Sequence, residues 1–338
     1  MMRCRRPRLA GHNAAAFVIL LLLAMAGPGA CRAVVPDIPT AAQQTLPAMP
    51  TPRRALGVAV HQGQIYAAGG WNGESTQLSV VEIYDPAQNL WRTGPDLPNP
   101  RSQHSLVSAG DHLWIVGGWS ATAGLVSAVD VLEDPAGDWR TVAHLPAPRR
   151  EPGVVLWGDE IVVAGGFDGW NDADMDGYSA RVDAYDPARN RWRRLASLQQ
   201  PRRGLSLVAI DSQLYAIGGY GPGSPGFLNT VERYAAAADR WEVVAWPIVA
   251  RTWAGAVALP GAAGTDLLIA GGYNQTGFLD LVERIDPRTG QICHPPPLTV
   301  ARAWFGAVPT AETLLLMGGE TIGGFTDALT QETGECVP

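Results

Sequence analysis

The residues best suited to chemistry recur at a fixed spacing. Arg53, Arg101, Arg149, Arg202 and Arg302 each stand 16 residues before a Gly-Gly pair, and Arg251 stands 20 before its own. A guanidinium is a planar fork of N–H donors that matches carboxylate, sulfate or phosphate oxygens. Six of them gathered about one axis predict a local positive funnel with a preference for an anionic group. Two residues beyond four of these arginines come Gln103, Glu151, Trp253 and Trp304, on the same side of the chain if it is extended there. They complete the expected lining, with the two tryptophans as an apolar wall. Each arginine taken singly also fits a structural role, bonded to backbone carbonyls or to an acidic neighbour.

A second group is metal-like. Asp172, Asp174 and Asp176, followed by Gly177, match the first half of a calcium loop, in which alternate carboxylates converge because glycine lets the chain turn sharply. Asp183 stands at the twelfth position, but acids recur at the equivalent place in other copies (Glu82, Asp130, Glu232, Glu283), so it adds nothing. Calcium is the one cofactor the sequence suggests, and none is required. No Gly-x-Ser-x-Gly elbow, phosphate loop or spaced Cys/His zinc motif is present.

These residues are positioned by a repeat. Gly-Gly pairs follow apolar runs at Gly69, Gly117, Gly165, Gly218, Gly271 and Gly318, at intervals of 48, 48, 53, 53 and 47 residues. Each copy offers four short Val/Ile/Leu-rich runs separated by Gly, Pro and Asp signals, such as Tyr84-Asp85-Pro86 for a type I turn. In the first copy these are Ala55–Val60, Gln64–Ala68, the Val81–Tyr84 run and a fourth near Trp91. Trp91, Trp139, Trp192 and Trp241, with Ile292 in the fifth copy, are spaced to pack between neighbouring units. Six four-stranded antiparallel units predict an all-β, six-bladed propeller. The arginine-bearing connections and the loops after Gly-Gly then share one face. The sixth copy lacks an outer strand, so Gln43–Pro47 is expected to supply it and close the last blade without a free edge.

The tandem glycines, the aromatic after them (Trp71, Trp119, Phe167, Tyr220, Tyr273), the Tyr-Asp-Pro turn and the tryptophan resemble the kelch repeat over nearly all of residues 43–338. The resemblance implies a propeller and leaves function open, since kelch propellers include enzymes and binding modules. In those that bind acidic peptides, arginines at the repeated position line the pocket. Copper radical oxidases with this repeat need His and Tyr ligands at one pocket, whereas His61 and His112 fall at turns on the far face and His144 and His294 on outer strands. Exported six-bladed kelch proteins also include sialic acid mutarotases, which the segment Gly318–Gly324 resembles; an acid and a base near an anomeric carbon suffice there, and Glu151 or Glu320 would serve. The reading favours a binding or interaction module for an anionic peptide, glycan or small molecule, with a mutarotase-type carbohydrate-active enzyme as the alternative.

Arg3 to Arg8 precede the uncharged stretch Ala14–Ala26, too short for a comfortable membrane span and laid out as a secretory signal. The expected organisation is a signal over residues 1–30, a linker over 31–42 and one propeller over 43–338, exported to the periplasm or beyond. Cys31 is a candidate for lipidation, the one expected route to a membrane. All 25 basic residues are arginine and the net charge is −7; removing residues 1–30 deletes four arginines and no acids, giving 21 − 32 = −11. So acidic a chain excludes nucleic acid as the general partner. Cys293 and Cys336 fall on outer positions of adjacent blades with opposite parity, which predicts a disulfide that pins the carboxy terminus.

Overall fold

The computed structural model describes residues 46–338 apart from 170–174, 247, 262–263, 311–312, 334 and 337–338. The first blade is the meander Gly57–His61, Gln64–Ala68, Val81–Asp85 and Leu90–Thr93, hydrogen-bonded in chain order. Blades two to five repeat it, starting at Ser105, Gly153, Ser206 and Gly255. Blade six shows three strands, Gly306–Pro309, Thr313–Met317 and Leu329–Thr333. The first strands touch one another in cyclic order, the last against the first. The first strand begins two residues later than the sequence pattern suggests, because Ala55 has φ +54 and cannot belong to a strand.

Second strands are buried along four consecutive residues and outer strands are largely exposed. The reason is packing on both faces: a middle strand meets a neighbouring blade on each side and therefore reads as an unbroken apolar run. Each of the six gaps between blades holds its own apolar cluster. Ile65 and Tyr84 of blade one meet Leu315 and Met317 of blade six, and Val162 and Ala184 of blade three meet Leu207 and Tyr234 of blade four. The repeated tryptophans lie in these gaps. Trp139 and Trp241 donate their indole N–H groups to the preceding blade, to the Pro95 and Ala196 carbonyls, each at 3.0 Å, whereas Trp192 Nε1 is buried with no partner among the described residues.

Cys293 and Cys336 are disulfide-bonded, with Cα atoms 6.0 Å apart and a sequence separation of 43, as their outer placement on adjacent blades predicts. No helix among the described residues is long and apolar enough to cross a membrane.

Candidate functional site

The six repeated arginines do not line a pocket. Arg53, Arg101, Arg149, Arg202 and Arg302 are 0% exposed and Arg251 is 1%. Each faces an acid on the third strand of its own blade. Arg53 donates to Glu82 at 2.7 Å, Arg101 to Asp130 at 2.6 Å and Arg149 to Asp183 at 2.9 Å; Arg202 pairs with Glu232 and Arg251 with Glu283. Glu332 exerts the same attraction on Arg302. Other donors go to backbone carbonyls, as where Arg202 bonds Gly218 at 3.0 Å and Thr230 at 3.2 Å, whereas Arg53 Nε, Arg101 Nη1, Arg149 Nε and both Nη atoms of Arg302 are buried with no partner among the described residues. Burial lowers the pKa of all six, Arg53 to about 10, and the facing acid opposes that shift in each. The expected anion funnel is therefore corrected to six internal struts. The physical reason is that each guanidinium is sealed inside its blade beside a carboxylate, so that even its unpaired donors are closed to a ligand.

The two following positions build the site instead. The residue two beyond each arginine adopts the left-handed conformation: Ala55, Gln103, Glu151, Gly204, Trp253 and Trp304, with φ between +53° and +59°. This kink turns each backbone N–H to the carbonyl of the preceding blade. Gln103 N bonds Ala55 O, Glu151 N bonds Gln103 O, and so on round to Ala55 N and Trp304 O, at 2.8–3.1 Å. Six hydrogen bonds thus close an annulus on the axis. Strand parity is lost at the kink, yet the four side chains predicted as lining do meet in one cavity.

Glu151 is the centre of that floor. It is 8% exposed, accepting from Gln103 Nε2 at 2.7 Å and from Trp253 Nε1 at 2.9 Å, with Arg203 Nε 3.8 Å away. Trp253 reaches it from two blades away because Gly204 lies between; a Cβ there would come within 2.6 Å of Trp253 Nε1. Trp253 and Trp304 stack on one another with centroids 3.7 Å apart, so the expected apolar wall exists but spends one face of each indole internally.

The residue one beyond each arginine pairs in a short bridge with the residue after Gly-Gly: Arg54 with Trp71, Arg150 with Phe167, Arg203 with Tyr220 and, in blade six, Ala303 with Glu320. Three arginines missed in the repeat pattern, Arg54, Arg150 and Arg203, line the mouth and lie over aromatic rings at 4.7–5.9 Å. Together with Glu151, Trp253 and Trp304 they enclose a cavity of about 430 Å³, toward the lower end of small-molecule pockets, roughly 300–1,000 Å³. Below the annulus a throat of about 160 Å³ continues, where His104 stands among Leu56, Leu205 and Phe305. Burial, with Arg101 and Arg53 adding to it, pushes His104 down to about 3.

Of the calcium loop, Asp172 and Asp174 lie outside the described residues; Asp176, in the turn Met175–Gly177, is exposed.

A model of the KLHDC2/KLHL20/DRC7 Kelch-repeats domain matches residues 40–219, and the Kelch motif matches residues 201–245. The chain belongs to the kelch-repeat family. Kelch-like protein 26 of Mus musculus is 45% identical over 89 residues, covering 26% of this chain and 14% of that protein. Kelch-like protein 35 of Mus musculus is 32% identical over 133 residues, 38% of this chain and 22% of that one. This kelch chain therefore matches only a small part of these relatives' length. The solved structure of YjhT superimposes with a TM-score of 0.72 over 86% of this chain and 97% of its own, at 17% identity, which establishes a shared fold.

Proposed function

We propose that the mouth cavity holds a carboxylated monosaccharide and interconverts its anomers, as sialic acid mutarotases do. The observation that carries this reading is Glu151: a carboxylate 8% exposed, on the floor of a sugar-sized cavity beside arginines and indoles. Mutarotation asks little more of a protein. A base takes the proton of the anomeric hydroxyl, the ring C–O bond breaks as the carbonyl forms, and the ring oxygen gains a proton; the reverse closes either face. Glu151 takes that proton from the hydroxyl and hands it to the ring oxygen, and on closure carries it back to the carbonyl oxygen, a role worth roughly 10²–10⁴ in rate. The likeness to YjhT supplies a fold-level analogy and no residue.

One observation favours a binding module without chemistry: both Glu151 oxygens already accept hydrogen bonds, which weakens a base. N-acetylneuraminate released as one anomer and followed by NMR separates the readings. Interconversion faster than in buffer, lost in Glu151→Gln while binding persists, supports the mutarotase; binding without acceleration supports the module; neither binding nor acceleration rejects both.

The same proposal includes export, with residues 1–30 as the signal and Cys31 as the lipidation candidate, and an outer strand for blade six from Gln43–Pro47. In support of the latter, Met49 N bonds the Asp327 carbonyl at 2.8 Å, repeating the bonds of Leu97 N to Ser79 O and Leu145 N to Ser127 O in blades one and two.

A further inference from the structure

Arg53 and Arg54 are chain neighbours with opposite fates. Arg53 is sealed in blade one on Glu82 and backbone carbonyls. Arg54 lies in the cavity wall, its side chain 25% exposed. Its guanidinium carbon lies 4.9 Å from the Trp71 ring and 4.7 Å from the Trp304 ring, with Phe325 at 5.7 Å. Trp304 in turn stacks on Trp253. A guanidinium packed against aromatic faces is held in place and hydrogen-bonds only through its edge. One group on that edge, Nη1, donates to Glu320. No other acceptor among the described residues engages the Arg54 fork. Glu320 occupies the position after Gly-Gly that is aromatic in the other five blades, so this arrangement occurs once, at the seam between blades one and six.

We infer that Arg54 is the oxyanion-reading residue of the mouth, and that the N–H groups Glu320 leaves unused take the ligand's carboxylate. The inference rests on the sugar-acid reading for the ligand's identity. It fixes the ligand's orientation: the carboxylate sits at the seam, and the anomeric carbon that bears it turns its hydroxyl toward Glu151 over the annulus. Glu320 holds the fork in place but also opposes an incoming anion, so the subsite is tuned below its maximum affinity.

The test compares N-acetylneuraminate with its methyl ester by calorimetry, with sulfate as a probe independent of the sugar. The acid should bind at least about tenfold tighter than the ester, since a hydrogen bond to a charged group is strong. Arg54→Gln should remove that difference by weakening the acid alone, Arg54→Lys should keep part of it, and Glu320→Gln should strengthen acid binding. Sulfate should shift the indole N–H resonances of Trp71 and Trp304 in the wild type and leave them unmoved in Arg54→Gln. Preserved acid preference in a folded Arg54→Gln, or no sulfate response in the wild type, overturns the assignment. A sulfate response lost in Arg54→Gln, with no sugar bound at all, retains Arg54 as the anion reader and rejects the sugar-acid reading.

Discussion

Replacing Arg202 with Met separates a strut from a ligand contact. In the folded protein its guanidinium donates to Glu232, to the Gly218, Thr230 and Gln200 carbonyls, and to the Thr230 hydroxyl. Both charged partners are fully buried. Met removes every donor and strands the Glu232 carboxylate, which keeps only the Gln199 and Gln200 N–H groups. Breaking a buried pair from one side costs about 3–5 kcal/mol. Unfolding a domain of this size carries an entropy of about 0.6 kcal/mol/K, so Tm should fall by about 5–8 °C. Adding Glu232→Gln neutralises the stranded charge while keeping an acceptor for one of those two N–H groups, and should recover about 1–3 kcal/mol, a coupling typical of a shared network. Thermal and urea unfolding followed by tryptophan fluorescence measure both changes. Affinity for N-acetylneuraminate should be unaltered in the folded variant. A Tm within about 1 °C of wild type together with weakened binding would refute the strut and restore the repeated arginines to the site.

Further outcomes follow from the same geometry. His104 is neutral in the fold down to about pH 3 and protonates near 6.5 once unfolded; between those values the unfolded chain binds the extra proton, so stability falls as pH drops through the window, by up to about 1.4 kcal/mol per pH unit. His104→Leu should flatten that part of the curve, measured by urea midpoints from pH 7 to 4. Gly204→Ala places a Cβ 2.4 Å from Thr252 Oγ1 and 2.6 Å from Trp253 Nε1, and should release Trp253 from Glu151, seen as a changed near-UV circular dichroism of the Trp253–Trp304 pair. Reducing Cys293–Cys336 frees a loop of 43 positions and should cost about 3–4 kcal/mol, with a Cys293→Ser/Cys336→Ser variant insensitive to reductant.

The propeller is legible in the chain because each blade must solve the same packing problem, and the solution leaves Gly-Gly, Trp and Asp-Pro at matching places. The same logic explains the misread arginines. A residue that every blade repeats answers a need every blade has, and the acids that complete the answer, Glu82, Asp130, Asp183, Glu232 and Glu283, repeat in step with it. Both halves of each pair stand in the sequence, about 30 residues apart, but nothing local shows that they face one another. The site occupies the positions that differ between blades: Arg54 against Ser102, Glu151 against Gly204, Glu320 against five aromatics. Gln103, Glu151, Trp253 and Trp304 could be anticipated from spacing, whereas their convergence depends on a left-handed kink at positions where only Gly204 is glycine. Ala, Gln, Glu and Trp give no sign of such a backbone.

The annulus has a further consequence for how such a protein changes over time. All six bonds run head to tail in one direction, so the circuit has no terminal donor or acceptor to satisfy and each bond polarises the next. Because only main-chain atoms take part, the circuit does not depend on which side chain stands at a station, Gly204 excepted, where a Cβ would meet Thr252 and Trp253. The six stations work as sockets of one turret, fitted here with Ala, Gln, Glu, Gly, Trp and Trp. Drift at the other five sockets resets what the mouth recognises while the turret stays intact, which separates the inheritance of the fold from the inheritance of its ligand.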